Sequence, residues 1–178
     1  EVQNFSWTIS HPFYRDVQQS VVLGTSFAIR ESKTSLLGES FSFIPGLENG
    51  HSKVSILRFF QEYMARINSH VIAARSTFNV GIGAFDATVQ RADLQDSEFF
   101  SWIGQAQYAY NLDDEGTQMR LRSNVLLSNQ PLLPQERMAI GGIYSVRGYR
   151  ENELVRDNGY SSSIELHYPL FSLPGKFK

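Results

Sequence analysis

One stretch of the sequence places a single charge among glycines and apolar side chains. Residues 141–149 read GGIYSVRGY, so that Arg147 stands between Val146 and Tyr149 near the end of the run. Glycines permit backbone turns that are closed to other residues, and three occur here: Gly141, Gly142 and Gly148. A guanidinium held between apolar groups usually needs a buried partner. The spacing therefore predicts a structured loop in which Arg147 meets a counter-ion.

The other residue types that could do chemistry show no catalytic arrangement. Ser, His and Asp all occur, but the sequence contains no GxSxG elbow and no HExxH pair. The acidic run Asp113 to Glu115 could attract calcium, yet acidic residues in exposed turns need no metal. We therefore expect a protein that is not an enzyme, with no cofactor and no metal.

Composition narrows the class of protein. The 178 residues carry a net charge of -2 and no cysteine, which gives no basic stripe for nucleic acid and excludes a disulfide framework. No apolar run approaches the roughly 18 residues that a membrane helix needs. The mean hydropathy of -0.26 suits a wall of transmembrane strands, because only every second residue of such a strand faces lipid.

Alternation of apolar and polar residues predicts about seven β-strands. In the first, Phe5, Trp7 and Ile9 share one face, and polar residues share the other. The third is the least regular, because Ile56 and Phe60 fall on the face of the charges. The predicted strands lie at 4–11, 21–30, 54–64, 72–84, 100–111, 119–128 and 160–168.

The connections between these strands alternate in length. Short links are predicted near residues 12–19, 66–69 and 113–116, and long links near 31–52, 86–97 and 129–158. Outer-membrane barrels have short periplasmic turns and longer exterior loops. This parity places the segment 129–158 on the exterior side.

Charged residues fall on the polar face of the predicted strands. Arginines cost roughly 2 to 4 kcal/mol each when they face lipid at mid-bilayer, so a barrel must turn them toward its lumen. We expect a wet, cationic lumen, moderated by Glu62 and Glu165, that disfavours sticking of an unfolded chain. The predicted lumen-lining residues are Arg30, Arg58, Arg75, Arg120, Arg122 and Glu165.

A soluble antiparallel sandwich would show the same alternation, with one buried and one solvated face on each sheet. Strand length separates the two architectures, because segments of about ten residues match a hydrocarbon span and sandwich strands average nearer five or six. The pattern favours an all-β, antiparallel transmembrane β-barrel. Seven strands leave costly unpaired edges in lipid, which predicts further strands before Glu1 and after Lys178.

The loop sequence VRGY resembles the motif, VRG followed by Phe or Tyr, of the outer-membrane protein translocation and insertion superfamily. The resemblance is nearest to the two-partner secretion transporters of the ShlB/FhaC/HecB type. Further residues fall where those proteins place similar ones. They are Pro134, Glu136, Gly141, Gly142, Val146, Arg147, Gly148, Tyr149, Asp157, Asn158 and Gly159.

This resemblance implies a particular place for the chain in a larger protein. Transporters of this type have sixteen-stranded barrels preceded by POTRA domains, so residues 1–178 would form about strands six to twelve of one barrel domain. The motif loop, at about 129–158, folds back into the lumen in the family. There its arginine meets an acidic residue of a later strand, which here is expected beyond residue 178.

The resemblance also implies a function: an outer-membrane pore of a Gram-negative-type bacterium that moves a large haemolysin- or adhesin-like exoprotein to the cell surface. Its expected partners are that exoprotein and outer-membrane lipid, and the barrel is expected to be monomeric. An assembly factor of the same superfamily, which inserts other outer-membrane proteins, shares the motif. A passive porin and a soluble β-sandwich binding domain remain as further alternatives.

Overall fold

The computed structural model describes residues 2–37, 39–41, 50–85, 87–88, 97–143 and 145–170. These residues form strands and connections with one short 3-10 turn at Pro134–Glu136. Within the same ranges, no helix has the length and apolar content to cross a membrane. The strands are β1 (Val2–Arg15), β2 (Gln19–Lys33), β3 (Ser35–Leu36), β4 (Glu39–Ser40), β5 (His51–Ile67), β6 (His70–Ile82), β7 (Phe100–Asn111), β8 (Gln118–Ser128), β9 (Met138–Ile140), β10 (Leu154–Arg156) and β11 (Gly159–His167).

Seven of these strands form one antiparallel sheet in the order β1-β2-β5-β6-β7-β8-β11. Each strand pairs with the long strand that precedes it in the chain, as in an up-and-down barrel wall. The sheet is open, with β1 and β11 at its two edges. All seven predicted strands are therefore confirmed, and the pairs β3-β4 and β9-β10 are two small ladders that the pattern did not predict.

The register gives the sheet a polar face and an apolar face. Residues paired across neighbouring strands share a face, so the pairs Glu62 with Arg75 and Arg120 with Glu165 lie on the polar face. The apolar face exposes large side chains at nearly every second position: Phe5, Trp7, Ile9, Leu57, Phe59, Val80, Leu127, Tyr160, Ile164 and Leu166. A sheet that exposes so much apolar surface on one side is suited to hydrocarbon rather than water.

The irregular pattern of the third predicted strand has a structural cause. Val54, Ile56 and Phe60 of β5 lie on the polar face, and each is buried. Phe60 packs over Gly24 of β2, where an added Cβ would come within 2.2 Å of the ring. Val54 and Ile56 are covered by residues from outside the sheet. Val54 and Ile56 occupy the polar face because another segment packs on them, and Phe60 fills the space above Gly24.

The strand bounds confirm that short and long connections alternate. Residues 16–18, 68–69 and 112–117 link strands at one rim of the sheet, and the long links 34–50, 83–99 and 129–158 all leave the other rim. The longest link carries the GGIYSVRGY run. We call the edge with the long links the long-link rim.

Candidate functional site

The segment between β8 and β11 has two parts. Its two limbs, residues 129–140 and 154–158, run together and pair through β9 and β10, from Met138 with Arg156 to Ile140 with Leu154. We call these limbs the stem. Residues 141–153 connect the limbs, and we call them the tip. The predicted site residues are thus divided between the stem and the tip.

A buried carboxylate fixes the stem to the polar face of the sheet. Glu136 Oε1 lies 2.6 Å from Nη1 of Arg30 on β2, and Glu136 Oε2 lies 3.0 Å from Nη2 of Arg58 on β5. Arg30 Nη1 also donates to the carbonyl oxygen of Gln135 at 3.3 Å. The Glu136 side chain is only 6% exposed. Charge-assisted bonds of this kind are the strong ones, and here one carboxylate joins three chain segments.

Leucines of the stem complete a small apolar cluster on the polar face. Leu132 and Leu133 have no exposed surface, and they pack with Val54 and Ile56 of β5. The other members of the cluster are Leu126, Phe99, Ile103 and Met138. The stem is therefore held by burial of apolar area as well as by charge.

The residues that end the stem close its two limbs against each other. Asp157 accepts from the backbone N–H of Leu132 at 2.8 Å and pairs with Arg137 Nε at 2.9 Å. Arg137 Nε also donates to the carbonyl oxygen of Leu132. Asn158 accepts from the backbone N–H of Ser128 at 2.7 Å. The Asp-Asn-Gly run, which the resemblance marked, thus ties the returning limb to the outgoing one.

Glycine is required where the stem becomes the tip. Gly141 has φ of 126°, and an added Cβ would lie 2.2 Å from the carbonyl oxygen of Arg150 on the opposite side of the turn. Ser145 bonds back to Gly141 at 2.8 Å, which closes the turn. Gly148 also has a positive φ, of 93°, but nothing lies within 4 Å of a Cβ there. Glycine is needed at position 141 because the opposite side of the turn lies too close for a Cβ atom, whereas at position 148 it is needed only for the positive φ.

The tip carries Arg147 into an exposed ion pair. Arg147 Nη2 lies 3.2 Å from Glu165 Oε1 on β11, and the arginine side chain is 74% exposed. Residues 143 and 145–153, including Val146 and Tyr149, are all exposed. Within the described residues Arg147 therefore meets Glu165, while the expected acidic partner beyond residue 178 stays a prediction. The loop folds toward the strand that follows it, which brings Glu165 within reach.

The predicted lumen-lining residues share the polar face, but they differ in their surroundings. Arg30 and Arg58 both form ion pairs with Glu136, and Arg75 pairs with Glu62 at 2.7 Å. Arg75 also stands 4.4 Å above the ring of Phe60. The exposed arginines Arg120 and Arg122 lie on β8, where Arg120 bonds to Gln118. Three of the five predicted arginines thus pair with two carboxylates, Glu136 and Glu62, and the sequence did not identify Glu136 as such a partner.

The role of Glu136 was missed by reasoning from the sequence alone. The resemblance marked the residue as a loop flank, but nothing local to it identifies arginines on β2 and β5 as its partners. The available signal was the presence of Ile56 and Phe60 on the charged face of their strand, which indicates that something packs there. Among the described residues, no group of three or more His, Asp or Glu side chains could hold a metal ion. The arrangement combines a buried ion-pair cluster at Glu136 with an exposed ion pair at Arg147.

Comparison with known proteins shows which family this chain resembles. The sequence model of the family "Haemolysin secretion/activation protein ShlB/FhaC/HecB" matches residues 1–177. The outer membrane transporter CdiB of Dickeya dadantii (strain 3937) is 34% identical over 101 residues, which are 55% of this chain and 18% of that protein.

Two solved structures show the same fold. CdiB from Escherichia coli aligns with a TM-score of 0.81 and 22% identity, over 97% of this chain and 32% of that one. CdiB from Acinetobacter baumannii aligns with a TM-score of 0.71 and 23% identity, over 95% of this chain and 29% of that one. The chain thus spans a third or less of the length of these relatives.

Proposed function

The chain belongs to the ShlB/FhaC/HecB family of haemolysin secretion/activation proteins and forms part of an outer-membrane β-barrel, and on that basis we propose that the protein containing it exports an exoprotein by two-partner secretion. The exported chain would be large and haemolysin- or adhesin-like, and it would pass through the barrel lumen to the cell surface. No covalent step is involved. The relative from Dickeya dadantii is an outer membrane transporter, and this chain shares the fold of the two solved CdiB structures over nearly its whole length.

The polar face of the sheet supports a lumen through which an unfolded chain can pass. Its exposed residues include Gln105, Gln107, Arg120 and Arg122, which offer hydrogen bonds and charge but little apolar surface. An unfolded polypeptide adheres to apolar walls, and a wet, charged lining avoids this. The opposite face, with its exposed aromatic and aliphatic side chains, would contact outer-membrane lipid.

The tip is proposed to act as a latch within that lumen. The one observation that carries this role is the contact between Arg147 and Glu165, an exposed ion pair between the loop and the wall. Exposed pairs are weak and easily exchanged, which suits a contact that must open and close during transport. Val146, Gly148 and Tyr149 would shape the turn that presents the guanidinium.

The test is replacement of Arg147 in the full-length transporter. Arg147→Ala should reduce the exoprotein recovered in the culture medium at least tenfold, because the latch loses its charge, and Arg147→Lys should recover part of the secretion. Heat-modifiable migration of the barrel on SDS gels checks that both variants insert normally. Normal secretion by a fully inserted Arg147→Ala protein would contradict the latch.

The same strains separate export from assembly of other barrels. An export pore leaves the amounts of other outer-membrane proteins unchanged when Arg147 is replaced. A fall in those amounts, with secretion unaffected, would favour the role of an assembly factor.

A further inference from the structure

We propose that Glu136 is a positioning residue for the latch: it holds the stem against one wall of the lumen by bridging Arg30 of β2 and Arg58 of β5. The inference deepens the proposed function and rests on it, because it concerns how the same loop is held. It assigns the loop two contacts with the wall, one permanent at Glu136 and one exchangeable at Arg147.

The geometry of Glu136 points to a fixed anchor. Each carboxylate oxygen meets a different arginine, at 2.6 Å and 3.0 Å, and those arginines lie on two neighbouring strands. Displacing the stem would break both pairs together and would also draw Leu132 and Leu133 out of the apolar cluster. A contact made of coupled parts opens far less often than either part alone.

Charge explains why the anchor needs a carboxylate. The side chains of Arg30 and Arg58 are 31% and 17% exposed, so both guanidiniums are partly withdrawn from water. If Glu136 is neutralised, two like charges remain close together with their shared counter-ion removed. A buried charge that loses its partner is strongly unfavourable, and the arginines would then turn toward water and away from the stem.

The tip differs from the stem, and this difference explains what the Glu136 contact would do. Residues 143 and 145–153 of the tip are exposed, and the tip joins the stem at Gly141, where the backbone turns sharply. With the stem fixed, movement of Arg147 toward or away from Glu165 is confined to a short turn. Glu136 therefore sets the position from which Arg147 reaches the wall.

The experiment reports on the stem without relying on secretion. These 178 residues contain no cysteine, so Val54→Cys provides a single thiol within them, at a position of 0% exposure under Leu132 and Leu133. Labelling of this thiol by a membrane-impermeant maleimide is measured on the full-length protein in outer membranes. Val146→Cys, in the exposed tip, is the matched control that should label rapidly in every background.

In the parent protein Val54→Cys should label slowly. Glu136→Gln should raise the labelling rate at least tenfold, because the amide keeps the size of the side chain but removes its charge. The charge exchange Glu136→Arg with Arg58→Glu should restore part of the slow labelling, since it remakes the ion pair between positions 136 and 58 with the charges reversed. Unchanged labelling in Glu136→Gln would overturn the inference, and so would a correctly inserted exchange variant that labels as fast as Glu136→Gln.

Secretion measured in the same strains separates this inference from the proposed function. Fast labelling in Glu136→Gln with reduced secretion supports both. If Arg147→Ala abolishes secretion while Glu136→Gln neither labels faster nor secretes less, the latch stands and the anchor is wrong. If Glu136→Gln labels faster while both variants secrete normally, the anchor of the stem stands and the latch is wrong.

Discussion

The stem and the tip belong to one connection between β8 and β11, yet they are held by different physical means. The stem buries Leu132 and Leu133 completely and surrounds Glu136 with two arginines. In the tip, residues 143 and 145–153 are exposed, and Arg147 contacts the wall at 3.2 Å from Glu165. A segment that had only to fill the lumen would need no such division, so the difference supports the proposal of a fixed stem with a latch at its end.

This division also explains why the marked residues of the loop fall into two groups. Glu136, Asp157 and Asn158 make contacts that close or anchor the stem. Gly141 and Gly148 supply backbone conformations to the tip. The first group determines where the segment lies, and the second determines how the guanidinium is presented.

The largest expected effect comes from removing apolar contact in the stem. Leu133→Ala should weaken docking of the stem by about 2 to 5 kcal/mol, because a buried leucine leaves a cavity when truncated. Labelling of Val54→Cys should then rise at least tenfold. Leu154→Ala is the matched control, since that leucine is 50% exposed and its truncation should leave labelling unchanged. Equal labelling in the two variants would mean that the stem is not held by this cluster.

A smaller effect is expected at the junction of stem and tip. Gly141→Ala should destabilise the turn by about 1 to 3 kcal/mol from backbone strain, with a further penalty where the new Cβ meets the carbonyl oxygen of Arg150. A spin label at Ala139→Cys, in the adjoining limb, should become more mobile in the electron paramagnetic resonance spectrum. Gly148→Ala has the strain without the collision, so the same label should change little. Matching spectra would show that close approach at Gly141 does not matter.

The smallest effect is expected from salt. The pair between Arg147 and Glu165 is exposed and therefore screened, because the Debye length falls to roughly 3 Å at 1 M ionic strength. A spin label at Val146→Cys should gain mobility as sodium chloride is raised from 0.05 to about 1 M. The label at Ala139→Cys should not respond, since the stem is held by buried contacts. A parallel response of both labels would remove the distinction between the two parts.

Much of the wall could be predicted from the sequence, because strand formation and facing depend on local alternation. The pattern around Phe5, Trp7 and Ile9 predicted β1, and the pairing in the structure agrees. The pattern failed to explain β5, where Ile56 and Phe60 lie on the polar face. Their burial depends on Leu132 and on the absence of a side chain at Gly24, and neither is visible in a window around β5.

The candidate site was predictable as a set of residues but not as a set of contacts. Arg147, Gly141 and Asp157 were marked by resemblance, and each has a defined place in the structure. The pairs of Glu136 with Arg30 and Arg58, and of Arg147 with Glu165, were not predicted, because ion pairs between separate segments leave no periodic signal. The resemblance implies an acidic partner for Arg147 in a strand beyond residue 178, which stays a prediction, and within the described residues Arg147 meets Glu165 in the strand that directly follows the loop.

The clamp on Glu136 also bears on how such a protein is made. Its two arginines lie 106 and 78 residues earlier in the chain, so the carboxylate can find them only after β2 and β5 already stand side by side. Contacts of such long sequence separation form late, because the intervening chain must first be ordered. The clamp is thus completed only once β2, β5 and the stem are all in place, so it joins parts of the chain that are made far apart in time.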